Sequence, residues 1–284
     1  MICTRGLTKR YGRKVAVDRL DLDVKKGSIY GLLGVNGAGK TTLLGMLSTL
    51  IRPTSGKIEI AGRSDKNWIR DRIGLLPQDA SLPSYMKVRD ILEYFSKLKA
   101  GSYEEIADRL SLDLDARIGR LSHGMQKIVY FATAFLGDPE LVLLDEPLAG
   151  LDPNHRKIVR DFIKDSGSTI IISTHLLEEV EILCSDVGIL HEGRLIVQES
   201  AAKLKKSQNI LVADISNLDK EMVHAVEKTR SVEGVLVQGN WMTVRMTKDV
   251  SSTIQKKLLS KGAEITAFEK GMSAEDIFLD TISS

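Results

Sequence analysis

The nine residues from Gly34 to Thr42, GVNGAGKTT, constrain this chain more than any other segment. They follow a short apolar run, Ile29 to Leu33, that reads as a buried strand. They lead into Lys40–Leu50, whose apolar spacing is helical and which stops before Pro53. A strand, a turn of the form G-x-x-x-x-G-K-[ST] and a helix together make a cradle for phosphate. Glycine lets the backbone turn its N–H groups inward, where a side chain would block the ligand, and the helix adds its positive N-terminal end. Gly34, Asn36, Gly37, Ala38 and Gly39 are the expected loop contacts. Lys40 brings an ammonium to the β- and γ-phosphates, Thr41 ends the motif and offers a hydroxyl to Mg²⁺, and Thr42, next along, is a further expected contact. A chance glycine-rich turn would lack the flanking strand and helix.

The rest of the composition is ordinary for a soluble globular protein and argues against several other classes. The 284 residues give room for about two domains. A net charge of +2 is too balanced to argue for a nucleic-acid or acidic-lipid partner. Cys3 and Cys184 form neither a disulfide framework nor a metal-ligand spacing, so thiols in a reducing cytosol are expected. Apolar stretches such as Phe131–Gly137 fall far short of the ~18–20 residues a membrane span needs, and MICTRGLTKRYG has no signal-peptide core. If the chain serves a membrane, it does so by docking onto another chain.

The first ~200 residues alternate short apolar runs with helical spacing, which predicts a largely parallel α/β sheet. Val17, Leu20, Leu22 and Val24 alternate as a strand, Lys57–Ala61 as another, and residues 87–112 are mostly helical in pattern. Leu141–Leu144 and Thr169–Ser173 read as buried strands. A lysine-rich stretch, Ala201–Ser207, marks a boundary between domains at 1–206 and 207–284. The tail reads strand (Ile210–Ile215), helix (Lys220–Lys228), two strands (Val232–Val237, Met242–Met246) around Gly239-Asn240, helix (Val250–Leu259) and strand (Ile265–Phe268). That βαββαβ order is ferredoxin-like. A short closing helix is expected over Ser273–Ile282, with Ser273 as its cap and Asp276 three residues on.

A second chemical signal is LVLLDEP, Leu141–Pro147, an apolar strand ending in two carboxylates. Asp145 can hold Mg²⁺, and Glu146, one residue on, can polarise an attacking water. Alone this is a strand ending in solvated acids. With the loop it indicates a P-loop NTPase, and the residues between the two decide which. LSHGMQ, Leu121–Gln126, opens a helix and resembles the LSGGQ signature of ATP-binding cassette proteins. LLPQD places Gln78 after a strand, as in that family's Q-loop. LAGLDP puts Asp152 in the D-loop position, ISTH ends a strand at the switch histidine, His175, and Tyr11 stands where the family stacks an aromatic ring on adenine. Singly these are weak: Gln78 could cap a strand, His175 could be a satisfied core histidine, and Tyr11 could be surface packing. Their joint order carries the resemblance over residues 1 to about 200.

The resemblance implies a cassette fold of the P-loop NTPase class, a mostly parallel sheet with antiparallel β and helical subdomains, with the ferredoxin-like tail appended. It implies an ATPase that binds ATP and Mg²⁺, with Val17 among the nucleotide contacts beside Tyr11. Two copies, or one copy and a related cassette, face head to tail, each ATP lying on one chain's loop and against Ser122 and Gly124 of the other. Glu146 and His175 attend the attacking water with Lys40 on the phosphates, while Thr41, Gln78 and Asp145 attend the metal. The tail, including SAEDIFL from Ser273 to Leu279, resembles the drug and antibiotic exporter branch. A separate transmembrane permease is the implied partner, with the chain on the cytoplasmic face and the membrane reached only through it. His123 departs from the first signature glycine. Met125 replaces glutamine, and Gln78–Ser122 is shorter than usual. A cassette ATPase acting on ribosomes, DNA or cofactor assembly is the alternative; a single cassette without a coiled-coil insertion argues against the first two, and an exporter-like tail against the third.

Overall fold

The computed structural model describes residues 1–79, 81–202, 210–238 and 240–272. It forms two units, Met1–Glu199 and Ser200–Ser284. The first runs β1 (Ile2–Tyr11), β2 (Lys14–Val24), β3 (Ile29–Leu33), α1 (Lys40–Leu47), β4 (Ser55–Ile60), α2 (Lys66–Arg72), β5 (Ile73–Leu76), α3 (Val88–Lys99), α4 (Glu104–Arg109), α5 (His123–Thr133), β6 (Leu141–Asp145), α6 (Pro153–Asp165), β7 (Thr169–Thr174), α7 (Leu177–Leu183), β8 (Asp186–His191) and β9 (Arg194–Ser200). Six strands make one sheet in the order β5-β6-β7-β3-β8-β9, and the pairs from β5 through β8 are parallel. A smaller antiparallel sheet has the order β2-β1-β4.

The large sheet is covered on both faces, which is why its central strands are continuous apolar runs. Every residue of β6 and β7 is buried. Their period-2 pleat sends alternate side chains into two separate cores. Val142, Leu144, Ile170 and Ile172 pack with helices α3 to α6, whereas Leu141, Leu143 and Ile171 pack with α1 and the antiparallel sheet. On the helical side, Phe131 of α5 and Phe135, just past its end, meet Phe162 of α6 with ring centroids 5.6 and 4.9 Å away. Each aromatic pair adds roughly 0.5–1.5 kcal/mol beyond its burial, so α5 is firmly seated.

Two local expectations are corrected. The first helix ends at Leu47, capped by the Ser48 N–H on Leu44 O, and does not reach Leu50, which is exposed. Ile2–Tyr11 is a strand that its sequence does not announce. The register shifts between Thr4 and Leu7 and again after it, and Gly6 takes φ 57°, so the period-2 alternation is broken.

In the second unit, β10 (Ile210–Ile215), a helix Lys220–Glu227, β11 (Val232–Gln238), β12 (Trp241–Met246), a helix Ser251–Ser260 and β13 (Ile265–Met272) follow one another. The antiparallel sheet has the order β11-β12-β10-β13. Leu211, Ala213 and Ile215 of β10 meet Met222, Val226, Ile254 and Leu258 of the helices in a core of their own. Gly239 of the expected turn and the expected closing helix Ser273–Ile282 lie outside the described residues.

Candidate nucleotide site

The loop between β3 and α1 turns through two glycines with positive φ, Gly37 at 87° and Gly39 at 110°. A Cβ on Gly39 would lie 2.3 Å from Ala16 O, so that position admits no side chain. Gly39 caps α1, and no side chain satisfies the helix's first N–H groups. They and the dipole face a cavity of about 380 Å³ whose wall includes the loop, Tyr11, Lys14, Ala16, Gln78, Asp145 and Glu146. That size lies within the range of ligand pockets, about 300–1,000 Å³.

Lys40 Nζ is buried and donates to Gly34 O at 2.6 Å and Val35 O at 3.2 Å, with Glu146 Oε1 at 3.7 Å. Burial lowers its pKa, and the charges of Glu146 and Asp145 oppose that shift. Thr41 Oγ1 donates to Gln78 Oε1 at 3.4 Å, bringing two expected metal-side groups together across the cavity. Asp145 ends β6, is almost wholly buried, and accepts from the Ser173 hydroxyl of β7.

Glu146 follows in the left-handed region at φ 50°, an uncommon backbone for a non-glycine residue that surrounding contacts must hold. Its N–H donates to Ser173 O, its carboxylate faces Lys40, and His175 Nδ1 lies 3.0 and 3.1 Å from its two oxygens. The turn carrying His175 is itself fixed. Thr174 Oγ1 donates to Glu179 Oε2 at 2.7 Å and accepts from Leu176 N–H at 3.1 Å. Burial raises the Glu179 pKa, and the Thr174 hydrogen bond works against it.

Other expected residues lie elsewhere. Val17 is fully buried in the core, and Lys14 and Ala16 of the same strand line the cavity. Ala38 is likewise buried. Tyr11 is half-exposed at the rim, with Lys9 Nζ 4.9 Å from its ring centroid. Ser122, Gly124 and Asp152 do not line this cavity. Ser122 caps α5 by accepting Met125 N–H, and His123 begins the helix exposed. Asp152 caps α6 by accepting from Asn154 and His155 N–H, and pairing with the His155 ring lowers its pKa. Sequence reasoning missed Ser173, Lys14 and Lys127. Lys127 Nζ donates to Glu146 O and, at 3.0 Å, to Ala149 O.

The donor set suits a nucleotide: a cation fixed in the loop, open backbone N–H groups, hydroxyl, amide and carboxylate oxygens for a hard metal, and a carboxylate beside a histidine where a water would attack. The family described as ABC transporter matches residues 17–149. An uncharacterised ABC transporter ATP-binding protein of Bacillus subtilis, YhaQ, is 34% identical over all of this chain and 99% of its own. The daunorubicin resistance ATP-binding protein DrrA3 of Streptomyces coeruleorubidus is 34% identical over 98% of this chain and 91% of its own. A bacterial ABC transporter cassette solved as a dimer superposes with a TM-score of 0.63 at 24% identity, covering 71% of this chain and 99% of that one. The likeness to this cassette and the strand order above give the first unit the ABC cassette fold. Fold, cavity and full-length relatives agree, and this chain therefore belongs to the ABC transporter ATP-binding proteins, an ATP-binding, ATP-hydrolysing subunit of a transporter.

Proposed function

We propose that the chain hydrolyses MgATP with Glu146 as general base, in a head-to-tail dimer that powers export through a separate transmembrane permease. The observation that carries this reading is the position of Glu146. Its carboxylate lies 3.7 Å from the loop lysine and 3.0 Å from His175, at the wall of the phosphate cavity. A base there can draw a proton from water beyond the γ-phosphate while Lys40 takes the phosphate charge and His175 orients the water.

Thr41, Gln78 and Asp145 would hold Mg²⁺, which takes a few protein oxygens and completes its shell with phosphate and water. When bound, the ion neutralises phosphate charge. Tyr11 would stack on the base.

Ser122 and Gly124 stand away from their own chain's cavity. Across a dimer, the N-terminus of α5 would offer them to the second nucleotide, and a related cassette is solved as a dimer. Residues 1–206 would be the nucleotide-binding domain and 207–284 an accessory domain. The export direction is supported by the likeness to the relative named for daunorubicin resistance. No helix among the described residues is long and apolar enough to cross a membrane. The chain would sit at the cytoplasmic face, on the permease.

The test is a pair of variants. Glu146→Gln keeps shape and hydrogen bonding and removes the charge. Turnover falls by roughly 10²–10⁴, ATP binding survives, and an ATP-bound dimer accumulates on size-exclusion chromatography. Asp145→Asn instead weakens Mg²⁺-dependent binding as well as turnover. Wild-type turnover in Glu146→Gln would refute the catalytic assignment.

A further inference from the structure

Helix α5 begins with the signature residues and continues past them along the Glu146–Leu151 backbone. Gly124 and Lys127 are spaced i, i+3 and share one face of the helix. Both meet the same neighbour. A Cβ on Gly124 would lie 3.1 Å from Gly150 O and 3.8 Å from Leu151 Cα, so the helix is close against that backbone. One turn on, the Lys127 ammonium donates to the carbonyls of Glu146 and Ala149. Those carbonyls stand at the two ends of one turn, closed by Ala149 N–H on Glu146 O at 3.2 Å.

This arrangement is an unusual use of a lysine. An ammonium on a helix ordinarily reaches water, and desolvating it is costly. Here burial lowers its pKa, and the charges of Glu146, Glu179 and Asp145 oppose that shift. Two main-chain acceptors make up part of the lost hydration. One of them is the carbonyl of Glu146, whose N–H is held on Ser173 O. Glu146 is in the left-handed region at φ 50°, and Lys40 and His175 engage its carboxylate without fixing its main chain.

We propose that Lys127 is a positioning residue for catalysis: from the signature helix it pins the main chain of Glu146 and the turn to Ala149, and thereby sets where the catalytic carboxylate stands. The proposal rests on Glu146 being the general base. Because Ser122 caps α5 and Lys127 lies in its second turn, the surface offered to the second nucleotide and the base for the first are held by one helix. A carboxylate displaced by about 1 Å loses on the order of 10²-fold in rate while the nucleotide contacts stay as they were.

The experiment uses the full chain and measures ATP turnover, KM and the affinity for a fluorescent ATP analogue, in wild-type and Glu146→Gln backgrounds. Lys127→Met removes the donors and keeps much of the volume. The expected result is a kcat lower by roughly ten- to a hundredfold, with KM and analogue affinity unchanged within about twofold and no further loss of single-turnover rate on top of Glu146→Gln. Lys127→Arg, whose guanidinium can bridge two carbonyls, regains part of kcat. Should Lys127→Met not fold, Lys127→Gln, which keeps one donor group, is read the same way, with a partial fall expected. Full kcat in the variant, a proportional rise in KM, or an undiminished effect in the Glu146→Gln background overturns the proposal. Wild-type turnover in Glu146→Gln alone overturns the base assignment and the proposal with it. Slow turnover there beside full turnover in Lys127→Met overturns the proposal only.

Discussion

Lys40 owes its position to the loop it serves. Its ammonium is anchored on the carbonyls of Gly34 and Val35 and is buried, so the ordering cost of a long side chain falls on folding and not on binding. Lys40→Ala removes a charge-assisted contact worth about 1.5–3 kcal/mol. We expect ATP affinity to fall by roughly ten- to a hundredfold in a titration with a fluorescent analogue; unchanged affinity would contradict the loop assignment. Residues such as Lys40, Asp145 and Glu146 were legible in the sequence because their chemistry depends on neighbours a few positions away. Lys127 was not. In a helix, a lysine reads as part of the solvated face, and only the distant turn at 146–149 gives it another use. For Val17 the sequence does not say which face of β2 meets the cavity: the pleat turns its side chain into the core, while Lys14 and Ala16 line the cavity.

At the scale of elements, the end of β7 shows how a strand positions the histidine proposed for catalysis. Thr174 joins the turn at Leu176 to the buried carboxylate of Glu179 on α7, and His175 sits between. Thr174→Val leaves Glu179 without that donor, at a cost of roughly 1–3 kcal/mol where the carboxylate is charged. The pH dependence has a definite sign. Burial raises the Glu179 pKa above 4.5, so its favourable contribution is full below the unfolded pKa and is lost as pH rises through the folded one. The variant raises the folded pKa further. Its deficit is therefore smaller near pH 5 than at pH 8, while the lost Leu176 hydrogen bond costs the same at both. Thermal melts of variant and wild type at the two pH values check this, and an equal Tm difference would contradict it. Apolar runs made β3, β6 and β7 readable, since a strand buried on both faces has no other composition to choose. The bulges in β1 hid it, because three register shifts against β2 and a left-handed Gly6 erase the period-2 alternation by which a strand is recognised.

At the scale of the whole molecule, the division into two units, each with its own core, separates chemistry from whatever the tail adds. Among the described residues, none of the groups lining the nucleotide cavity comes from beyond residue 199. A chain ending at Lys206 should bind the ATP analogue with wild-type affinity; loss of binding in a truncation shown to be folded by circular dichroism would contradict this. The parallel sheet has a further consequence for how the molecule comes into being. The strand that leads into the phosphate loop pairs Ile29 with Ile170 and Gly31 with Val187, partners about 140–155 positions later. At ~5–20 residues per second, synthesis leaves that strand without either neighbour for on the order of ten seconds. During that interval IYGLL is an apolar ribbon with two free edges, prone to pairing with another nascent copy. ATP can assist only after Asp145 and His175 have emerged, so the yield of this protein in a cell should be set less by nucleotide supply than by how well the nascent strand is shielded on the ribosome.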